Sequence, residues 1–134
     1  MLVHFKNIYQ TNIMIKVGNL FLHPKSLLCP KGFAGITLFG HVFTSYEEDY
    51  LKKYIKTTNG KKFVNHENIH CIQARSLKGS WLEFYMLYIF YWIRNLFNIG
   101  FSKKAYYEIP FEREAYQNEW DFNYKITKWK NYID

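Results

Sequence analysis

The stretch "VNHENIHCIQ", residues 64–73, contains two histidines four positions apart and a glutamate directly after the first histidine. On a helix, positions i and i+4 lie one turn apart on the same face, so His66 and His70 can direct their imidazole nitrogens at one point. Glu67 then points beside that point rather than at it. The same face carries Phe63, Ala74 and Leu77, so we expect it to point into the interior. An imidazole that is buried there without a partner would be costly, so both histidines should have one.

The segments around this helix predict an α+β fold in a single domain that spans residues 1–134. Residues 1–44 contain runs of β-branched and aromatic residues broken by glycines, a pattern typical of strands and turns. After Ser45 the apolar period becomes that of helices. A chain of 134 residues is long enough to bury one core. We therefore expect a short N-terminal β-sheet followed by a bundle of about four helices.

Capping signals predict where the first two helices begin and end. Ser45 with Glu48 forms a capping box and predicts a first helix of about ten to thirteen residues, which the Asn59-Gly60 pair would stop. The motif helix would then begin just after Gly60. Gly79 would be its C-terminal stop, because glycine readily adopts the left-handed conformation that ends helices.

A second capping box, Ser80 with Glu83, begins the apolar segment "WLEFYMLYIFYWIRNLFNIG", which ends at Gly100. Its uninterrupted apolar run covers only the ten residues 84–93, whereas roughly 20 are needed to cross a bilayer. We predict a buried central helix. The alternative is a helix over residues 81–99 that is seated in a membrane surface.

A last major helix, "PFEREAYQNEWDFNY", is predicted from Pro110, since proline suits the first helical position. The tail after it would extend this helix or pack over it.

Zinc in a catalytic site usually has three protein ligands and an open fourth position. Besides the two histidines, the candidates for a third ligand are the carboxylates of Glu83, Glu108, Glu112 and Glu114.

The residues alone leave the choice of the third ligand open. Glu83 already has a capping position, and Glu108 precedes Pro110 in a predicted turn. Glu112 and Glu114 both lie in the first turns of the last helix but point about 200° apart.

The segments "HENIHCIQ" and "PFEREAY" resemble those of the HExxH zincins, specifically gluzincin-like metallopeptidases, whose third ligand is a glutamate on a later helix. The first is similar to small bacterial zincin domains, and the second to the E-x-x-A-D helix of the CAAX prenyl protease and related membrane peptidases. The resemblance implies a minimal zincin-like domain in which Zn²⁺ is held by His66, His70 and Glu112. Glu67 would act on the zinc-bound water. Tyr116 stands where that helix has an aspartate, so a ligand histidine needs another partner, for which the candidates are Glu119, Asp121 and Asn118.

Further residues are candidates for contacting substrate or orienting a ligand. Gln73 follows the second motif histidine by three positions and can brace it or contact substrate. His41, in the glycine-punctuated strand, can touch substrate. Three tyrosines are candidate donors to an oxyanion, with plain packing as the alternative for each: Tyr106, Tyr107 and Tyr116.

The chain is basic, with 18 Lys and Arg against 11 Asp and Glu and a formal charge of +7. The basic residues are scattered, as is typical of solvated faces. Lysine outnumbers arginine, which disfavours dedicated recognition of base edges in a nucleic acid. An anionic membrane surface is a candidate partner. Cys29 and Cys71 form no C-x-x-C pair and no export signal is visible. We therefore expect a cytoplasmic protein without a signal peptide, with membrane association as an alternative.

Taken together, these features predict a zinc-dependent metallopeptidase that hydrolyses a peptide or amide bond in a peptide or protein substrate. The alternative is a catalytically inactive zinc-binding or partner-binding domain, since 134 residues leave little material for a deep specificity cleft. A basic nucleic-acid-binding module is a third interpretation, and it lacks a recognised binding motif.

Overall fold

The computed structural model describes residues 13–29, 31–32 and 35–134. In this part of the chain a four-stranded sheet precedes the helices, so the predicted α+β fold is confirmed. The strands and turns predicted within residues 1–12 and at residues 30 and 33–34 lie outside the described residues. The strands are β1 Ile15–Val17, β2 Leu20–His23, β3 Gly35–Leu38 and β4 His41–Thr44. The helices are α1 Glu48–Tyr54, α2 Thr58–Ser76, α3 Trp81–Ile99, α4 Lys103–Tyr107, α5 Pro110–Asn118 and a C-terminal 3₁₀ helix, Trp129–Tyr132.

The sheet joins two antiparallel hairpins through parallel pairing of β2 with β4, which gives the strand order β1-β2-β4-β3. In the second hairpin, Phe39 and Gly40 have φ angles of 55° and 81°, and a type I′ turn requires positive values at both of its central residues. One face of the sheet buries Leu20, Leu22 and Val42 against α1 and α2. β3 is left as an edge strand.

The boundary between α1 and α2 differs from the prediction. α1 has seven residues, and its N-cap is Glu47 rather than Ser45. The Asn59-Gly60 pair does not end it, because both residues lie in the first turn of α2. There Thr57 is the N-cap, and its Oγ1 accepts a hydrogen bond from the Gly60 N–H at 3.0 Å. The predicted first capping box and the predicted stop are therefore wrong, since the threonine cap starts a new helix before the pair.

α3 begins and ends where the sequence predicts. Ser80 Oγ accepts a hydrogen bond from the Glu83 N–H at 3.1 Å, and Gly100 follows the last helical residue with a φ of 98°. α3 buries Phe84, Tyr91 and Asn95, and most of the opposite side of the helix is exposed. The prediction of a buried central helix is therefore wrong. Among the described residues, none of the helices combines the length and the hydropathy needed to cross a membrane.

α5 begins at Pro110 as predicted but ends at Asn118, and the chain then turns back over it. Trp129 of the 3₁₀ helix is buried against Phe111, with ring centroids 4.7 Å apart, and also contacts Tyr91. The tail therefore packs over the last helix rather than extending it. The resulting core joins α2, α3, α5 and the tail, and it fixes α5 beside the motif helix.

Candidate metal centre

Three side chains from α2 and α5 converge in the interior. His66 and His70 lie one turn apart on α2, and Glu112 extends towards them from the first turn of α5. One ligand atom from each residue lies within 4.8 Å of the other two, and all three residues are buried. The structure therefore brings both motif histidines and Glu112 into one group that could hold a metal ion.

The carboxylate of Glu112 lies between the two imidazole rings. Its Oε2 is 3.2 Å from His66 Nε2, and its Oε1 is 3.4 Å from His70 Nε2. The second nitrogen of each ring has a partner of its own. His66 Nδ1 lies 3.1 Å from Glu119 Oε2, and His70 Nδ1 lies 2.8 Å from Gln73 Oε1. Both partners are acceptors that favour a proton on Nδ1, which leaves both Nε2 atoms available as ligands.

Burial and charge act in opposite directions on this group. Burial of Glu112 favours its neutral form, but the two histidines outweigh this and lower the pKa of its carboxyl. Burial also favours neutral His70, yet the charge and hydrogen bond of Glu112 raise the pKa of that imidazole to about 9. A positive charge between these side chains, whether a proton or a metal ion, is therefore stabilised by an ionised Glu112.

Glu114 is fully buried as well, but it belongs to a different network. Its carboxylate accepts hydrogen bonds from Gln73 Nε2 at 2.7 Å and from the Tyr124 and Thr127 hydroxyls at 2.6 and 2.7 Å. The backbone N–H of Lys128 also donates to it. Glu114 thus fastens the C-terminal tail to α5 and supports the amide that holds the second motif histidine.

The other two candidate carboxylates also lie away from the histidines. Glu108 is the C-cap of α4, with its Oε2 3.7 Å from Arg113 Nε. Glu83 is exposed in the first turn of α3. Of the four candidates for a third ligand, the structure places only Glu112 beside both imidazoles.

Of the three residues predicted to orient a ligand histidine, Glu119 is the one that contacts His66 Nδ1, and the turn after α5 directs it there. Asn65 on α2 donates from Nδ2 to the backbone carbonyls of Glu119 and Asp121 at 2.9 and 3.0 Å. This ties the turn to the motif helix at the residue that precedes the first histidine. Asn118, the third candidate, donates to a backbone carbonyl of α5 instead.

A cavity of about 420 Å³ lies beside this group. Glu67 lines it, and its Oε2 accepts a hydrogen bond of 2.5 Å from Thr37 Oγ1 on β3. His70 and Glu112 line the same cavity. The rest of its wall comes from β3 and from the aromatic side chains of Trp81, Phe84, Tyr85, Tyr88, Trp92 and Tyr106. Two candidate ligands, the carboxylate of Glu67 and a largely apolar surface therefore line one cavity.

Two residues that the sequence analysis did not name, Thr37 and Tyr88, contact the site carboxylates. The Tyr88 hydroxyl donates to Glu112 Oε1 at 2.7 Å. Burial, followed by the negative charge of Glu112, raises the pKa of Tyr88 and of Tyr106, so both phenols stay protonated and act as donors. Tyr88 is one of 12 tyrosines in the chain, and its sequence neighbours give no signal that would distinguish it.

Of the remaining predicted residues, Tyr116 and Tyr107 lie beside the candidate metal centre, whereas His41 lies away from it. The rings of Tyr116 and His66 pack edge to face with their centroids 4.4 Å apart, and Tyr107 packs in turn on Tyr116. His41 is not brought to the cavity. Strand alternation turns it to the opposite face of the sheet from the core, where its Nδ1 lies 2.8 Å from His23 Nε2.

Comparison of the chain with protein-family models, with curated proteins and with solved structures returned no match. The resemblance to zincins therefore stays a prediction, and a function has to be argued from the arrangement of the side chains.

Proposed function

We propose that this chain is a zinc-dependent metallopeptidase in which His66, His70 and Glu112 hold the metal and Glu67 is the general base. The observation that supports this most strongly is the convergence of two Nε2 atoms and a carboxylate beside a cavity that Glu67 also lines. Two imidazoles and one carboxylate form a donor set that catalytic zinc uses, with one coordination position left open.

The donor set fits zinc better than a harder cation. Magnesium and calcium prefer oxygen ligands, whereas imidazole nitrogen suits zinc and its neighbours. Glu119 and Gln73 hold the two rings so that both Nε2 atoms face Glu112. A bound zinc ion would supply a lowered pKa for water and polarisation of a substrate carbonyl.

Glu67 is placed to move protons in this cavity. Its carboxylate can accept a proton from an attacking water and deliver it to the leaving amine. The hydrogen bond from Thr37 Oγ1 fixes the position of one of its oxygens beside the cavity. Tyr88 and Tyr106 also line this cavity, and the phenol of either one can donate to the negative charge that develops on a carbonyl oxygen.

The cavity wall favours a peptide with a bulky apolar side chain. In the described part of the chain β3 is an edge strand that lines the cavity. The Tyr85 hydroxyl donates to its Thr37 carbonyl at 3.3 Å, and an extended peptide can pair with the other outward-facing backbone groups of the strand. Aromatic side chains of α3 line the same cavity, and its volume of about 420 Å³ accommodates a large side chain. Peptides with Phe, Leu or Met beside the scissile bond are therefore the substrates to test first.

Metal content tests the ligand assignment. Purified wild type should bind one zinc ion per chain, measured by inductively coupled plasma mass spectrometry after dialysis. His66→Ala and Glu112→Ala should each lose it, because two remaining ligands hold zinc weakly. Glu108→Ala is the matched control, since Glu108 lies two positions before α5 but outside the group. Retention of zinc by both ligand variants would overturn the assignment.

Glu67→Gln separates catalysis from metal binding. The variant should keep its zinc while hydrolysis of a peptide library, followed by mass spectrometry, falls by roughly 10²–10⁴-fold. If zinc-loaded wild type cleaves no peptide in that library, the chain is a metal-binding domain without peptidase activity. An unchanged hydrolysis rate in Glu67→Gln would show that another group is the base.

A further inference from the structure

α3 carries an apolar surface that no part of the described chain covers. Its exposed side chains follow the helical period along one face, and they are between 44% and 87% exposed. We call this surface the α3 apolar face, and it consists of Leu82, Met86, Ile89, Phe90, Ile93 and Phe97. Large contiguous apolar patches are uncommon on a protein surrounded by water and mark a surface that contacts something else.

The helix packs on the core through its other side. Phe84, Tyr91 and Asn95 are buried, and at 100° per residue they point roughly opposite to Met86 and Ile93. The α3 apolar face is therefore separate from the side of the helix that packs on the core. It is a second apolar stripe on a helix that has apolar residues all round, which is typical of a helix in contact with a core on one side and another apolar phase on the other.

Charge distribution indicates the nature of that phase. Within α3 the only acidic residue is Glu83, in the first turn. Exposed cations flank the helix in sequence, with Lys78 before its start and Lys103 and Lys104 just after its end. An apolar stripe flanked by lysines is the pattern with which interfacial helices bind anionic bilayers.

We propose that the α3 apolar face docks on the surface of an anionic lipid bilayer, with the helix lying in the plane of the interface. A second copy of the chain is the competing occupant. It is disfavoured because each copy carries a formal charge of +7, so face-to-face pairing would bring lysines of like charge together. A bilayer that contains acidic lipids offers the complementary charge and accepts the whole stripe.

Docking would also set the position of the candidate metal centre. Trp92 lies on the flank of α3, is 42% exposed, and lines the cavity. The cavity would then lie next to the bilayer surface, where it could receive peptide segments that emerge from the membrane. This last step rests on the proposed function, whereas docking itself does not depend on metal or on hydrolysis.

Vesicle flotation tests docking with the full chain. Wild type should float with vesicles of phosphatidylcholine and phosphatidylserine, and much less with phosphatidylcholine alone. Met86→Gln/Phe97→Gln should lower the partition coefficient roughly 100-fold, because two large apolar contacts are lost. The matched control is Leu27→Gln/Ile126→Gln, which changes two side chains that are also exposed but lie outside the face. All four positions are at the surface, and thermal melts of each variant should match wild type.

Charge is tested separately. Lys103→Gln/Lys104→Gln should weaken binding to phosphatidylserine vesicles by roughly tenfold or more and leave binding to neutral vesicles unchanged. Failure of wild type to float with anionic vesicles would overturn the proposal. An equal loss in the Leu27→Gln/Ile126→Gln control would overturn it as well. A wild-type dimer in light scattering that Met86→Gln/Phe97→Gln dissociates, without vesicle binding, would assign the face to a second copy.

Discussion

Glu119 acts on the candidate metal centre through one hydrogen bond, from His66 Nδ1 to Oε2 at 3.1 Å. A carboxylate on the far nitrogen of a ligand imidazole fixes the ring and raises its basicity. We therefore expect Glu119→Ala to weaken zinc binding by roughly 10–100-fold, measured by competition with a chromogenic chelator. Glu119→Gln should lose less, because its amide oxygen can still accept the bond.

The contrasting variant for this test is Glu83→Ala, which removes an exposed carboxylate at the start of α3. Its zinc affinity should equal that of wild type. If Glu119→Ala also matches wild type, His66 is oriented by packing, for example by the ring of Tyr116 at 4.4 Å, and not by its carboxylate partner.

The site residues differ in how far the sequence could identify them. His66 and His70 converge through local helical geometry, so their spacing was sufficient to predict that they meet. Glu112 meets them only through the packing of α5 on α2. The spacing of residues in the sequence could not choose between Glu112 and Glu114 as the third ligand, because both lie in the first turns of the same helix. The structure separates the two by what each faces: Glu112 faces imidazoles, and Glu114 faces the tail.

At the scale of the elements, Gly60 explains how α1 and α2 connect so tightly. A Cβ atom at this position would lie 1.8 Å from the backbone oxygen of Tyr54, at the end of α1. Alanine normally stabilises a helix relative to glycine. Here the clash reverses the sign, and Gly60→Ala should destabilise the fold by about 2 kcal/mol or more in urea unfolding.

The control for Gly60→Ala lies one residue earlier. Asn59 is exposed in the same helical turn, so Asn59→Ala should change the free energy of unfolding by no more than about 0.5 kcal/mol. If Gly60→Ala is as stable as wild type, the connection between α1 and α2 can relax, and the glycine is not required by close approach.

The same connection shows why some element boundaries were predicted wrongly. Asn-Gly is a strong turn signal, but Thr57 competes as an N-cap two positions earlier and places the pair inside α2. For α3 the caps were local and could be identified, whereas its burial could not. A helix with apolar residues on every side gives no period from which to tell the packed face from the exposed one.

At the scale of the whole molecule, the order of the sheet, α1, α2, α3 and α5 followed from local patterns, whereas α4 was not predicted. The site, in contrast, depends on contacts across the chain. His66 and Glu112 are 46 positions apart, and the tail that covers α5 is tied down by Glu114 and Trp129. The candidate ligands therefore assemble only when α2, α5 and the tail are packed together. A metal ion held by His66, His70 and Glu112 would bind the folded chain and have little affinity for the unfolded one.

This linkage predicts that zinc stabilises the fold. Zinc at 100 times its dissociation constant should add about 2.7 kcal/mol to the free energy of unfolding. For a domain of this size the midpoint of thermal unfolding should rise by roughly 10 °C in calorimetry. Glu67→Gln should show the same rise, because it keeps all three ligands, whereas Glu112→Ala should show none. Magnesium should have no effect on wild type, since the site offers it only one carboxylate. An equal rise in wild type and Glu112→Ala would mean that zinc stabilises the chain from another site, and the assembly of this centre from α2 and α5 would then have no thermodynamic support.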